Sequence, residues 1–318
     1  THRHSSAASD VYKRQAVRSG IAKKVFTQIV LEKQQTGQIS LALSCRLFGI
    51  SRQAIYQRVT RQANRYARDQ LVKELVVHHR KRMPRLGTRK LHYLLTPECA
   101  KQGIKLGRDK LFEVLRSERM LVTPAKTYTK TTHSKHWLKK HPNLMNQVTP
   151  SRPEQYFVSD ITYIKSKQRT HYLSLVTDAY SRKIMGYHLS DDLSAESVVK
   201  ALKMAVRHRQ SNHSVIHHSD RGLQYCSEVY QQVLRSHKIL PSMTDGYDCY
   251  QNALAERVNG ILKSEFLLYT CNTGEELNTL IDESIHTYNN IRPHLSLAMK
   301  TPNFRHKKTE ELMLYGSS

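Results

Sequence analysis

Three acidic residues, Asp160, Asp220 and Glu256, occupy positions suited to metal-dependent chemistry. Asp160 interrupts an apolar run at residues 157–164, and Asp220 follows a second run at residues 215–219. Glu256 comes after 35 intervening residues, in a segment with helical periodicity. Carboxylates are ligands that Mg²⁺ prefers, and two such ions suit phosphodiester cleavage. The pattern therefore predicts a cage for two Mg²⁺ or Mn²⁺ ions, with Asp160 shared between them.

The surroundings of these acids favour this interpretation. A carboxylate placed among Phe157, Val158 and Ile161 is costly to bury unless it is paired or bound to metal. On the predicted helix, Asn259 and Lys263 lie three and seven positions after Glu256, on the same face. The expected supporting residues are therefore His218, Asn252, Asn259 and Lys263. For Lys263 we expect contact with a DNA phosphate.

Other acids receive plainer interpretations. Asp178 ends an apolar run and precedes a polar turn, which favours a role in capping a strand or turn. Asp245 and Asp248 fall in a polar loop and are expected to face solvent.

Charge is distributed unevenly along the 318 residues, whose net charge is +25. The first 150 residues carry 31 Lys and Arg against 8 Asp and Glu, whereas the rest carry 20 against 18. Such an asymmetry predicts that the first half binds a polyanion, most simply DNA. A basic surface that only aids solubility is the alternative.

Two helical units are predicted in the basic half, after residues 1–20, which are expected to be a non-native or disordered leader. In the first, residues 21–65, Leu43, Leu47, Ile50 and Ile55 are expected to pack a helix-turn-helix, with Gly49 in the turn and Ser51 as N-cap. Its second helix presents to DNA the side chains of Arg52, Gln53, Tyr56 and Arg58. An ordinary helical hairpin is the alternative.

The second unit, residues 66–123, is expected to contain a helix at 68–82, another capped by Thr88, and a third from Arg108 to Glu118. Its candidate DNA contacts are Arg89, Lys90 and Lys110. A scaffold or dimerisation surface is the alternative. Residues 124–153 form a basic, proline-containing linker that is predicted to be extended. Its histidines lack cysteine or acidic partners at ligand spacing, which disfavours a zinc site.

The remaining sequence, residues 154–305, predicts an α/β domain followed by a tail at 306–318. Strands are expected at 156–164, 172–178, 184–188, 215–219 and 239–243. Helices are expected at 194–209, 227–238, 253–269 and 275–290, the first two capped by Ser194 and Ser227. Three antiparallel strands followed by α/β alternation are typical of a ribonuclease H-like domain with a mixed five-stranded sheet and flanking helices.

The cellular compartment of the protein is indicated by its cysteines and by its hydropathy. The five cysteines contain no C-x-x-C pair, which fits unpaired thiols in a reducing cytosol. No apolar run approaches the roughly 18 residues of a membrane span. We therefore expect a cytoplasmic, nucleoid-associated protein without a membrane partner.

Four ordered motifs resemble those of bacterial insertion-sequence transposases with a retroviral-integrase-like core. They are residues 159–164 around Asp160, residues 218–225 around Asp220, residues 252–263 around Glu256, and residues 288–294. Residues 87–91 further resemble the second helix-turn-helix of these proteins. The resemblance implies a ribonuclease H-like core, two divalent ions, terminal inverted repeats and target DNA as substrates, and a homo-oligomer on DNA. It also implies a possible partner, a helix-turn-helix protein from an upstream reading frame.

The sequence thus predicts a DNA transposase that cleaves phosphodiesters at element ends and joins the freed 3′-hydroxyl to target DNA. Two alternatives are a helix-turn-helix transcriptional regulator with a non-catalytic C-terminal domain, and a ribonuclease H-type nuclease without strand transfer. The regulator has no need of the three acids. The nuclease needs neither Lys263 nor two DNA-reading units.

Overall fold

The computed structural model describes residues 29–34, 36–123, 138–145, 148–245 and 252–307. The chain divides into two compact units, residues 1–74 and 75–318. The predicted leader, most of the histidine-containing linker, Asp248 and nearly all of the tail lie outside the described residues. The proposed domain boundaries stay predictions.

The first unit contains the predicted helix-turn-helix. Residues 29–34 are helical and precede helix α1, Leu41–Phe48, and the start of helix α2, Arg52–Arg82. Gly49 takes φ +63°, a left-handed conformation that glycine adopts at low cost, so it makes the predicted turn. The Ser51 hydroxyl accepts a hydrogen bond from the Ala54 backbone N–H at 3.1 Å, which confirms the predicted N-cap.

The core of this unit differs from the prediction. Val30, Leu41, Cys45 and Ile55 are buried, and Ile50 packs against them. Leu43 and Leu47 were expected in this core but are 54% and 72% exposed. The reason is helical geometry: Leu41 and Cys45 are four residues apart on one face, whereas Leu43 and Leu47 share the opposite face.

Helix α2 also corrects the predicted arrangement of the two helical units. A separate helix was expected at 68–82, but α2 continues without a break from Arg52 to Arg82. Residues 59–70 contain neither glycine nor proline, so nothing in this segment ends the helix.

Two further helices follow, α3 at Thr88–Lys101 and α4 at Arg108–Ser117. They pack through the buried side chains of Leu91, Leu95, Leu111 and Leu115. The Thr88 cap was wrong, because Gly87 is the N-cap and Thr88 is the buried first residue of the helix.

A mixed five-stranded sheet forms the centre of the second unit. Its strands are β1 Tyr156–Lys165, β2 Thr170–Asp178, β3 Ile184–Ser190, β4 Val215–Ser219 and β5 Ile239–Met243, in the order β3-β2-β1-β4-β5. Strands β1, β2 and β3 pair antiparallel, and β4 runs parallel to both β1 and β5. This order confirms the predicted ribonuclease H-like fold.

Helices flank this sheet: α5 Ala195–Arg207, α6 Leu223–Cys226, α7 Glu228–Ser236, α8 Ala253–Ile261 and α9 Gly274–Asn290. The core between sheet and helices contains Phe157, Val176, Leu202 and Leu234. Ser194 and Ser227 accept hydrogen bonds from backbone N–H groups three residues ahead, which confirms both caps.

The helix predicted at 253–269 is interrupted. Helix α8 ends at Ile261 and continues as a π-helical turn, Leu262–Phe266. Such a turn inserts an extra residue into the helical repeat, and π turns occur often at functional sites. It shifts every side chain after Leu262 relative to the face predicted from regular helical spacing.

Asp178 has the structural role that was predicted for it. Its fully buried carboxylate accepts hydrogen bonds from the Glu154 backbone N–H at 2.9 Å and the Ser181 backbone N–H at 2.8 Å. His306, in the helical segment 302–307, lies 3.6 Å from Asp178 and 3.4 Å from Glu154. These contacts fix the end of β2 from inside the core.

Two compositional expectations concern cysteines and membranes. Cys45, Cys99, Cys226 and Cys271 are free thiols, as expected. Within the described ranges, no helix combines the length and apolar character needed to traverse a bilayer.

Candidate active site

The two strand-end acids meet at one edge of the sheet. Strand β4 pairs with β1 only at Tyr156, Phe157 and Val158, so Asp160 lies just past the last paired residue. Asp220 directly follows the end of β4. Because β1 and β4 are parallel neighbours, both carboxylates reach the same place, and both line one cavity of about 430 Å³.

Each of these carboxylates is held by a backbone N–H. The Ile161 N–H donates to Asp160 Oδ1 at 2.9 Å, and the Gly222 N–H donates to Asp220 Oδ1 at 3.0 Å. A Cβ at position 222 would lie only 3.0 Å from that same Asp220 oxygen. A larger residue would press on the carboxylate, so glycine lets the turn stay this close to it.

Helix α8 brings the third acid toward the pair. Its buried Asn259 donates from Nδ2 to Asp160 Oδ2 at 2.8 Å, which fixes one face of the helix against β1. Glu256 lies one turn earlier on that face and is exposed. At the start of the helix, Asn252 donates from Nδ2 to the Ser159 carbonyl at 3.0 Å, so α8 is attached to β1 at Ser159 as well as at Asp160.

The electrostatics of the site reflect three carboxylates in one neighbourhood. Burial, together with the negative charges of Asp220 and Glu256, raises the pKa of Asp160 to about 7 against the hydrogen bonds from Asn259 and the Ile161 N–H. Burial and the charge of Asp220 also raise the pKa of Glu256. The site therefore favours a cation or a proton over a set of three bare carboxylates.

Within the described ranges, no three His, Cys, Asp or Glu side chains stand close enough to form a complete metal cage. The lack of a formed cage among these residues agrees with the raised pKa values of Asp160 and Glu256. Glu256 is exposed, so its side chain can change rotamer at little cost and approach the two aspartates. The residues fit a divalent cation in their donor chemistry: carboxylate oxygens at the wall of a cavity.

The two remaining predicted supporting residues, Lys263 and His218, lie in different environments. Lys263 lies in the π turn, with its ammonium 4.6 Å from the ring centre of Tyr163. Burial lowers the pKa of Lys263, opposed by attraction to Asp160. His218 is fully buried, and its Nδ1 bonds with the Ser242 hydroxyl at 2.8 Å, which favours a structural role over contact with substrate.

The predicted DNA contacts of the first helical unit are accessible. Arg52, Gln53 and Tyr56 are exposed at the start of α2, and Arg58 is half-buried. In the second unit Arg89 is exposed, and Lys110 pairs with Glu113 at 3.1 Å. These positions are compatible with DNA contact, and the contacts themselves stay predictions.

Lys90 occupies an ion-pair cluster instead of an open surface. Its ammonium lies 3.1 Å from Glu265 Oε1, and Arg292 donates to both Glu265 oxygens at 2.6 and 2.8 Å. Lys90 and Glu265 are 12% and 16% exposed, and Arg292 only 2%. Although burial opposes it, hydrogen bonding and charge from Arg292 and Lys90 lower the pKa of Glu265. The geometry thus gives Lys90 an internal partner.

Sequence reasoning missed Glu265 and left Arg292 without a role. Arg292 lies within the motif at residues 288–294, so the sequence pattern pointed to one member of this ion pair but not to Glu265. Glu265 lies in the π turn directly after α8, where regular helical spacing gives no reason to single it out. The cluster connects α3, the π turn and the segment after α9 within the second unit.

Comparison with known proteins supplies the family. The integrase core domain family matches residues 150–249, and a second integrase core domain family matches residues 237–302. The chain is 35% identical over 269 residues to the insertion element IS600 uncharacterized 31 kDa protein of Shigella sonnei, covering 83% of this chain and 97% of the relative. It is 31% identical over 242 residues to the transposase InsF for insertion sequence IS3A of Escherichia coli strain K12, covering 74% and 82%.

The chain belongs to the bacterial insertion-sequence transposases. The transposase is therefore a DNA-acting polynucleotidyl transferase, which decides against the regulator and against a nuclease without strand transfer. Its structure also aligns with the catalytic core domain of HTLV-2 integrase in complex with magnesium, at a TM-score of 0.40 and 20% identity, covering 49% of the transposase and 97% of that chain.

Proposed function

We propose that Asp160, Asp220 and Glu256 are the catalytic residues of this transposase and hold two divalent cations, Mg²⁺ or Mn²⁺. The observation that carries the proposal is the convergence of Asp160 and Asp220 on one cavity, with Asn259 attaching the helix of Glu256 to Asp160. When bound, such ions stabilise the attacking and leaving oxygens of a phosphodiester exchange. Asp160, whose pKa is raised by burial and by the charges of both other acids, is the residue expected to be shared.

The reaction proceeds in two exchanges at phosphorus. In the first, the oxygen of water forms a bond to a phosphorus at the element end, and the bond to the 3′-oxygen breaks to release a 3′-hydroxyl. In the second, that 3′-oxygen forms a bond to a target phosphorus, and another 3′-oxygen leaves. The first exchange consumes one water and one phosphodiester and leaves a 5′-phosphate and a 3′-hydroxyl, whose proton comes from the water. The second exchange makes one phosphodiester for the one that it breaks, so neither step needs a covalent bond to protein.

The protein's own groups position these reactants. Ile161 N–H and Asn259 fix the Asp160 carboxylate through its two separate oxygens. We propose that Lys263 contacts a DNA phosphate beside the acids; its ammonium lies 4.6 Å from the centre of the Tyr163 ring and is attracted to Asp160, which supports this role. This pre-organisation limits the reorientation required when DNA arrives.

The substrates and partners follow from the family. We propose terminal inverted repeats as the DNA that the helical units select, and target DNA as the second substrate. Arg52, Gln53, Tyr56 and Arg89 are the exposed residues best placed to contact DNA. A homo-oligomer assembled on DNA, and a helix-turn-helix protein from an upstream frame, are the proposed protein partners.

The test is a cleavage and joining assay with the full chain and labelled DNA that carries an element end. Mg²⁺-dependent release of a 3′-hydroxyl and its joining to a second duplex is the expected result. Asp160→Asn and Asp220→Asn are expected to abolish both products while DNA binding persists. Products at the wild-type level from either variant would refute the assignment.

A further inference from the structure

The cavity that contains Asp160 and Asp220 extends well beyond the two carboxylates. Its volume of about 430 Å³ falls within the range of small-molecule sites, roughly 300–1,000 Å³. Away from the acids, its wall is formed by strands β1 and β2 and by α6. Two acids and metal ions alone do not account for a space of this size and lining.

Aromatic rings dominate the far wall of the cavity. Tyr163 and Tyr172 are directly opposite each other in the β1–β2 pair, and both line the cavity. Leu193 and Leu223, each 45% exposed, lie on the other side. Exposed apolar side chains and tyrosine rings at one opening are a stacking surface for a flat, partly apolar ligand.

One edge of β1 supplies polar groups to the same cavity. Strand β4 pairs only with Tyr156, Phe157 and Val158, so in the described structure no strand pairs with this edge beyond residue 158. Asn252 donates to the Ser159 carbonyl, and the Ile161 N–H donates to Asp160, which shows that alternate residues direct their backbone groups to this edge. By the same alternation, the backbone N–H and C=O of Tyr163 face it too.

A further polar group at the cavity is the hydroxyl of Tyr225. Tyr225 is 2% exposed and lines the cavity, yet its buried hydroxyl bonds to nothing in the part of the chain that the structure describes. Buried hydroxyls are nearly always paired, and leaving one unpaired is unfavourable because it has lost its hydrogen bonds to water. A ligand with a donor or acceptor at its edge would satisfy it.

We propose that this cavity is a subsite for one unpaired nucleobase adjacent to the phosphodiester held by the acids. A base has flat apolar faces that stack on tyrosine rings and a polar edge that pairs with backbone groups. Among the described residues that line the cavity, Lys165 is the only charged one apart from the two acids, which suits a neutral ring better than a second phosphate. The Lys263 ammonium lies over the Tyr163 ring and is not part of this lining. The subsite rests on the proposed function, because the acids define which phosphate the base adjoins.

The experiment measures the affinity of the full transposase for element-end DNA by fluorescence anisotropy. Five duplexes are compared: one fully paired, two mismatched at the nucleotide on one or the other side of the cleavage position, and two abasic at the same positions. Mismatched DNA is expected to bind more tightly than paired DNA, because the cost of unpairing is removed. Abasic DNA is expected to bind about 5- to 150-fold more weakly than mismatched DNA, because stacking is lost.

Protein variants locate the effect. Tyr172→Ala is expected to reproduce the loss on mismatched DNA and to cause no further loss on abasic DNA, whereas Tyr172→Phe retains the ring and the affinity. Tyr269→Ala, a 63% exposed tyrosine that is absent from the cavity wall, is the matched control and is expected to bind as wild type.

Equal affinities for mismatched and abasic DNA, or an equal loss from Tyr172→Ala on both, would overturn the subsite. Cleavage is followed in the same samples. If wild type cleaves but the duplexes bind alike, only the subsite fails. If Asp160→Asn cleaves as wild type does, the proposed function fails instead.

Discussion

Asn259 donates a hydrogen bond to Asp160 across 2.8 Å, joining the helix of the third acid to the strand of the first. The contact orients one carboxylate oxygen and sets the distance between helix α8 and the sheet. It lies beside the reacting groups without touching substrate, so Asn259 is a positioning residue. Outer contacts of this kind are worth about 10- to 100-fold in metal affinity or activity.

Asn259→Ala is therefore expected to lower the rate of end cleavage by about 10- to 100-fold and to raise the Mg²⁺ concentration needed for half-maximal rate. DNA affinity should stay near the wild-type value, because the helices that we propose to contact DNA are untouched. A magnesium titration of the cleavage rate measures both effects. Asn290→Ala, at an exposed asparagine, is the control, and an unchanged magnesium requirement in Asn259→Ala would contradict the role.

Asp160 is expected to make the metal-free protein sensitive to pH. Its pKa is raised from 3.8 to about 7 on folding, so the folded state binds more protons between these values. The contribution of Asp160 to stability is thus fully present below about pH 4 and is lost as pH rises through about 7. Asp160→Asn should raise the melting temperature at pH 8 and leave it nearly unchanged at pH 4.

Thermal melts of the metal-free protein and of Asp160→Asn at both pH values test this. Metal should also bind more tightly as pH rises toward 7, because the proton on Asp160 must leave first. Equal melting temperatures of the two proteins at pH 8 would show that the carboxylate is not under electrostatic strain.

The cluster of Glu265 with Arg292 is expected to dominate the stability of the second unit. Glu265→Gln leaves Arg292, which is 2% exposed, without its bidentate partner, at a cost of about 3–5 kcal/mol in the free energy of unfolding. Urea denaturation measures the change. The control, Glu228→Gln, breaks a surface pair with Arg235 and should cost less than about 1 kcal/mol.

Arg89 and Lys90 are adjacent, yet they are expected to act differently. Arg89→Ala should weaken DNA binding and lower the slope of log affinity against log salt concentration by about one. This change is expected when one exposed phosphate contact is lost. Lys90→Ala should leave that slope unchanged and lower stability through the loss of its contact with Glu265. If Lys90→Ala also lowered the dependence of DNA affinity on salt concentration, Lys90 would be a DNA contact after all.

Sequence reasoning reached the five strands of the mixed sheet and the strand positions of Asp160 and Asp220, because alternation and apolar runs depend on local pattern. It failed for features that are determined by contacts in the folded structure. The face that α1 buries was mistaken, since both of its faces are apolar around Leu41 and Leu43. The π turn at Leu262–Phe266 and the partner of Lys90 depend on residues distant in sequence, which periodicity does not reveal.

The most direct test of the central claim is the single-turnover rate of end cleavage for Glu256→Gln beside Glu283→Gln. Both replace an exposed glutamate on a helix by its neutral isostere. We expect Glu256→Gln to bind element-end DNA as wild type does but to release no 3′-hydroxyl above background, while Glu283→Gln cleaves at the wild-type rate. Cleavage by Glu256→Gln at the rate of Glu283→Gln would contradict a catalytic site built on Asp160, Asp220 and Glu256.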